Sequence, residues 1–241
     1  MLFRSPVLFV GTPCQVDGLN FYLGKNYDNL ITADLVCHGV PPIKYLQEYI
    51  NHLKVKENIK ATQVRFRGEK DFIFTVLDGE NITYTKPNNY DIYYYGFTEG
   101  IFYRSNCYSC KYAQRNRVSD ITIGDFWGLG SEKPFNTKIN RPSEVLISTD
   151  KGLAFFEKCK SSLFYEERPI EEAIKGNGQL QQPLDRHIKT DKFREYYKKY
   201  GFVKASQKIG LPFDMKTRKI KINIRDSKAL AKKIIKKMIK R

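Results

Sequence analysis

The stretch Val7-Leu8-Phe9-Val10-Gly11-Thr12-Pro13-Cys14 decides how the rest of the chain is read. Four apolar residues make a short β-run, and Gly-Thr-Pro breaks it. Residues 16–23 then read as a helix. The segment thus opens an α/β unit, with a cysteine at the carboxyl end of a strand and beside a helix N-terminus. In open α/β sheets that edge is where ligands bind. The helix dipole there favours a thiolate or an anionic cluster. Residues 30–36 repeat the pattern as a second strand, ending in Cys37-His38-Gly39. Two cysteines at the same edge of a sheet can converge; two at opposite edges cannot.

Outward from these strands, Pro41-Pro42 ends the second one. Residues 43, 46, 49, 50 and 53 are apolar at helical spacing, so 43–53 reads as a helix. Residues 62–67, 72–77 and 81–85 are strand-like, with Asp78-Gly79 as the hairpin turn between the last two. The aromatic segment 91–102 reads equally as a helix or as an ordered loop. Residues 118–123 form a strand that runs into the turn between Gly124 and Gly128. A strand at 143–148, a helix at 151–162, a polar mixed stretch from Glu166 and a helix at 190–200 complete the body. The fold class expected is α/β, a mixed β-sheet flanked by helices, with a basic helical C-terminal tail. Residues 1–200 form the expected domain and 201–241 the tail.

The chain has 241 residues, 41% of them hydrophobic and 14% aromatic, which suits a packed body and argues against wholesale disorder. No apolar run approaches the roughly 20 residues of a membrane span. The opening residues lack a basic segment followed by a long apolar one, so a cytoplasmic address is expected. The formal net charge is +16, but residues 201–241 hold 14 Lys+Arg against 2 Asp+Glu, and the other 200 residues hold 28 against 24. The charge therefore sits in the tail. On a helical wheel, Leu230, Ala231, Ile234, Ile235, Met238 and Ile239 share one half, and Lys232, Lys233, Lys236, Lys237 and Lys240 the other. That pattern suits an anionic membrane surface, giving a membrane-peripheral location. Docking on the chain's own body, or a solvated end, fits the same pattern. Nucleic acid fits less well, because aromatics are not interleaved with the basic residues.

Five cysteines are present, Cys14, Cys37, Cys107, Cys110 and Cys159. A reducing compartment and an odd count argue against a disulfide framework. Cys107 and Cys110 form a C-x-x-C, a spacing used by redox pairs, by half a zinc site and by half an iron–sulfur site. With Cys14 and Cys37 there are four thiolates, the complement of either a [4Fe–4S] cubane or an all-cysteine zinc site. Cys14 and Cys37 read alternatively as small buried hydrophobes at strand ends. Cys159, in a helical segment, reads as structural.

Five blocks in order go beyond spacing: residues 7–19 (VLFVGTPCQVDGL), 34–41 (DLVCHGVP), 66–70 (FRGEK), 103–113 (YRSNCYSCKYA) and 119–128 (SDITIGDFWG). Together they closely resemble the beta-subunit family of coenzyme F420-reducing hydrogenase and dehydrogenase. Asn177, residues 186–193 and the helix after them are similar to that family's C-terminal portion. The resemblance implies an iron–sulfur flavoprotein oxidoreductase that passes electrons between a [4Fe–4S] cluster and FAD. The acceptor is unknown, and a place in surface-polysaccharide biosynthesis is implied. It implies Cys14, Cys37, Cys107 and Cys110 as cluster ligands, with His38 bonding a cluster sulfur or a backbone group. It further implies an electron-donor protein or a deazaflavin or flavin coenzyme as partner. Relatives carry more sequence before the Gly-Thr-Pro-Cys strand, often with a ferredoxin-like cysteine run, so a second polypeptide supplying that part is also implied. A zinc-stabilised scaffold module and a truncated inactive remnant are the alternatives.

The residues suggest further cofactor contacts, though no catalytic residue. Gly11, Gly39, Gly124 and Gly128 let backbone amides approach a cluster or a pyrophosphate, since glycine has no Cβ. Thr12 stands beside the first of them. Arg67, Lys70 and Arg104 offer charge to a reduced flavin or to phosphates, or are solvated surface cations. Trp127 reads as a flavin-stacking ring or as core. Asp125 reads as a cofactor acceptor or as a turn cap.

Overall fold

The computed structural model describes residues 5–68, 72–135, 141–212 and 215–216. The chain divides into two compact units that interleave in sequence: residues 1–39 with 105–185, and 40–104 with 186–241. The amphipathic segment at 230–240 lies outside the described residues, as does Lys70.

The first unit is built on a four-stranded sheet in the order β1 (Val7–Gly11), β2 (Leu30–Leu35), β6 (Ile121–Asp125), β7 (Ser143–Ile147). β1 runs parallel to β2 and β2 to β6, whereas β7 is antiparallel to β6. Helix α1 (Pro13–Leu23) follows β1 at once. Proline is tolerated in its first turn, and the Gln15 side chain accepts from the Thr12 amide at 2.9 Å, supplying an otherwise missing partner. Gly24, left-handed at φ 63°, ends the helix. Helix α4 (Asp150–Cys159) is capped by Thr149, whose hydroxyl accepts from the Gly152 amide at 3.0 Å. Helix α5 (Ile170–Gly176) falls in the stretch whose sequence is merely polar and mixed. Its acidic first turn hides that Glu172 is buried, which breaks any apolar periodicity.

The interior of this unit is unusually polar. Asp120 accepts from the amide and hydroxyl of Thr32 and from the hydroxyl of Thr149. Glu172 accepts from Arg168 and from the amides of Glu132 and Lys133. By the strand register, Val10, Ala33, Ile121 and Ile147 share one row of one sheet face, with Leu35, Ile123 and Val145 in the next row. Of these, Val10, Leu35, Ile123, Val145 and Ile147 are exposed.

The second unit pairs a three-stranded antiparallel sheet, β3 (Gln63–Arg65), β4 (Ile73–Asp78) and β5 (Asn81–Pro87), with helices α2 (Ile43–Lys56), α3 (Ile92–Thr98) and α6 (Thr190–Lys208). Gly79 at φ 60° makes the expected hairpin turn. The undecided aromatic segment contains α3, started by Asp91, whose carboxylate accepts from the Tyr94 amide at 2.9 Å. Its core is a mesh of rings: Phe202 lies within 6 Å, centroid to centroid, of Tyr45, Tyr49, Tyr93, Phe102 and Phe193. Helix α6 passes residue 200 and breaks at Gly201 (φ 73°, ψ 178°), a backbone that side-chain-bearing residues rarely adopt. Glu48 accepts the freed Phe202 amide at 2.9 Å and the Tyr197 hydroxyl at 2.7 Å.

Candidate metal centre

Parallel pairing of β1, β2 and β6 puts their carboxyl ends on one edge of the first unit's sheet. Thr12 and Cys14 follow β1, Cys37 follows β2, and Trp127 follows β6 with Asp125 at its last position. This satisfies the same-edge condition that the sequence left open. Cys107 lies in the short 3-10 turn Ser105–Ser109, and Cys110 follows directly. Both belong to the same unit as Cys14 and Cys37.

The other three motif cysteines all bear on Cys37. Burial pushes the Cys37 thiol above its ordinary value; a hydrogen bond from the Gly39 backbone offsets part of this, and Cys107, Cys14 and Cys110 push it further up. The thiol of Cys14, exposed in the first turn of α1, lies 3.2 Å from the Thr12 hydroxyl. The reading of Cys14 as a buried hydrophobe therefore does not hold. Cys37, Cys107 and Cys110 are partly buried. Cys159 ends α4. Among the described residues no group of three or more His, Cys, Asp and Glu side chains is gathered to hold a metal ion. In donor chemistry the four cysteines fit an all-thiolate centre, either iron–sulfur or zinc.

Side chains with no motif in the sequence hold the cysteine loops together. Arg117 is buried, its side chain only 3% exposed, and pairs with fully buried Asp34 at 3.1 Å. The same guanidinium donates to the Leu35 carbonyl at 3.1 Å, to the Tyr112 carbonyl at 3.0 Å and to the Thr122 hydroxyl at 3.1 Å. It thereby ties the segment after the C-x-x-C to the end of β2, two residues before Cys37. On the other side, Asp17 of α1 accepts from the Tyr112 hydroxyl and pairs with Lys111 at 3.3 Å. The segment after Cys110 is thus fastened to both elements that carry the other two cysteines. Sequence alone offers one signal for this: Asp34 lies inside the strand-like run 30–36.

The remaining expected contacts divide. Trp127 is 54% exposed, so its core reading is wrong and its ring is accessible. Asp125 is half-buried; its charge opposes the burial that pulls His38 down, and its backbone carbonyl accepts from Asn177 at 3.0 Å. Glu144, buried on β7 opposite Gly124, accepts from Asn177 at 2.9 Å, and its other oxygen has no partner among the described residues. Burial raises the Glu144 carboxyl to about 7, with Asn177 opposing and Asp125 adding. Gly128 is small for a reason other than ligand approach: a Cβ there would lie 1.8 Å from the Glu172 carbonyl and against Gly176. Gly11 abuts the Phe9 ring and Gln15. Arg67 and Arg104 belong to the second unit, where both are exposed; the Arg67 guanidinium sits 5.0 Å from the Phe72 ring centroid.

A family model for the C-terminal part of the beta subunit of coenzyme F420 hydrogenase/dehydrogenase matches residues 5–173. No curated protein matches the chain. Among solved structures, the chain is similar to one from the F420-reducing [NiFe] hydrogenase complex of Methanosarcina barkeri, at 18% identity and a TM-score of 0.41. The alignment covers 85% of this chain and 60% of that one, so this chain spans less than two thirds of its length. Among the described residues no helix is long and apolar enough to cross a membrane.

Proposed function

The chain belongs to the family defined by the C-terminal part of the coenzyme F420 hydrogenase/dehydrogenase beta subunit, and from that premise we propose that it is an iron–sulfur flavoprotein oxidoreductase. In this reading Cys14, Cys37, Cys107 and Cys110 hold a [4Fe–4S] cluster, and an FAD-type flavin lies at the same sheet edge. What supports it is the family match over residues 5–173, together with Cys14 and Cys37 following neighbouring parallel strands in the unit that also holds Cys107 and Cys110. When bound, the cluster supplies one-electron steps, and the flavin joins them to two-electron chemistry.

The chain's own residues have separate tasks. Arg117 and Asp17 hold the C-x-x-C segment against the strand and helix that bear the other two cysteines. The Thr12 hydroxyl beside Cys14 and the Gly39 backbone beside Cys37 supply hydrogen bonds to sulfur, which tune a cluster's potential. The exposed Trp127 offers a ring for stacking, and Gly11 and Thr12 line the same edge. The uncovered apolar face of the four-stranded sheet supports a partner polypeptide, since patches of this kind mark interaction sites. Surface-polysaccharide assembly as the setting, a deazaflavin or protein electron donor and a membrane-peripheral tail complete the proposal.

Anaerobic purification followed by iron, sulfide, zinc and flavin analysis tests it. A brown protein with about four irons per chain, as one cubane requires, bleached by dithionite and carrying flavin, is the expected result. Cys107→Ser and Cys110→Ser each abolish the colour. A colourless protein with one zinc and no flavin would replace this reading with a scaffold module, and a metal-free protein with a remnant.

A further inference from the structure

The second unit contains a cavity of about 400 Å³, within the size range of small-molecule sites. Its walls follow from regular structure. Tyr49, His52, Leu53 and Lys56 stand at i, i+3, i+4 and i+7 on α2, so one helix face lines it. Tyr84 and Lys86 alternate onto one face of β5, and Val203 of α6 and Met215 add apolar surface. Lys216 brings a third lysine.

The floor is rigid. Asp91 is fully buried and accepts from the Tyr49 hydroxyl at 2.7 Å and the Tyr84 hydroxyl at 3.1 Å. The two hydroxyls lie 3.2 Å apart, so one carboxylate fixes both rings as a pre-formed aromatic base. Above it, Lys56, Lys86, Lys216 and His52 face a single lining acid, Glu57, which Lys56 already pairs at 3.1 Å. With three lysines against one glutamate the lining carries a net positive charge, and a concave surface of that kind gathers anions. Residues 217–241 carry 11 Lys+Arg and one acid, so charge opposes the chain's own tail as the occupant.

We propose that this cavity binds a small amphiphilic anion, a flat aromatic body carrying a phosphate group. The ring lies on Tyr49 and Tyr84 among Leu53, Val203 and Met215, and the phosphate meets Lys56 and Lys86. This is separate from the cysteine-bearing unit and does not depend on the cluster reading.

Isothermal titration of the full chain with phenyl phosphate tests it, with inorganic phosphate and benzyl alcohol as the two halves of the probe. Saturable binding of one phenyl phosphate per chain is expected, with each half-probe more than tenfold weaker. The exposed double substitution Lys56→Ala/Lys86→Ala weakens phenyl phosphate more than tenfold. Val203→Phe, which fills the cavity from an apolar wall, does the same, with thermal melts showing both variants folded. The proposal is overturned if phenyl phosphate shows no saturable heat, as when the tail fills the cavity. It is equally overturned if inorganic phosphate binds as tightly, or if the lysine variant binds undiminished.

Discussion

The two units solve the problem of an interior in opposite ways. Every residue of the large apolar cluster, from Tyr45 to Met215, belongs to the second unit, where rings pack on rings. The first unit buries Asp34, Asp120, Glu144 and Glu172 and leaves much of one sheet face uncovered. Ring packing supplies stability without fixing any one loop. Directional bonds to buried carboxylates fix loops while adding less net stability. The cysteines lie in the unit whose interior fixes loops.

The largest expected effect breaks the aromatic side. Phe202→Ala removes a ring packed against five others and destabilises the chain by about 4–5 kcal/mol, read by urea denaturation. A loss under about 1 kcal/mol would mean that the mesh does not carry the second unit's stability.

Next comes the polar side. Arg117→Ala strands Asp34 in the interior and costs about 3 kcal/mol. The pair Arg117→Met/Asp34→Leu restores apolar packing and returns stability close to that of the parent. On the proposed cluster reading, iron content should fall in both variants, because the C-x-x-C segment loses its tie to β2. If the double variant loads iron like the parent, the polar interior does not position the cysteines.

Glu144 sharpens the contrast through pH. Its carboxyl is raised from 4.5 to about 7, mainly by burial, so the folded state favours the protonated form. The associated stability is complete below pH 4.5 and is lost as pH rises through 7. A difference of that size corresponds to about 3 kcal/mol at most. Glu144→Gln should flatten the fall in stability between pH 5 and pH 8, measured by denaturation at each pH. An unchanged slope would assign the pH dependence to other groups.

How much of this was legible depended on whether a signal was local. The strand-Gly-Thr-Pro-Cys start, the second strand and the Asp78-Gly79 hairpin follow from short apolar runs and turn residues, and the structure has all three. That Cys14 and Cys37 share an edge needed the parallel pairing of β1 and β2, which no local pattern encodes. Helix α5 was missed because its buried face is a glutamate held by Arg168, so polarity there marks the interior. Arg117 was missed likewise: a charged residue reads as surface until its partner, 83 positions earlier in the chain, is known. For Trp127 the general preference of tryptophan for the interior kept a core reading open, and its exposure excludes that.

The smallest effect concerns the face that the first unit leaves bare. β1 is an edge strand, and Leu8 and Val10 on it are each more than half exposed. An apolar edge of this kind invites association with another chain. Threonine is β-branched, as strands favour, and adds a hydroxyl to the solvent side. Leu8→Thr/Val10→Thr should therefore change stability by only about 0.5 kcal/mol. The same change should raise the concentration at which the isolated chain self-associates, measured by light scattering. If stability falls by several kcal/mol instead, the face is part of the unit's own core, and the contrast between an apolar inside and an apolar outside fails.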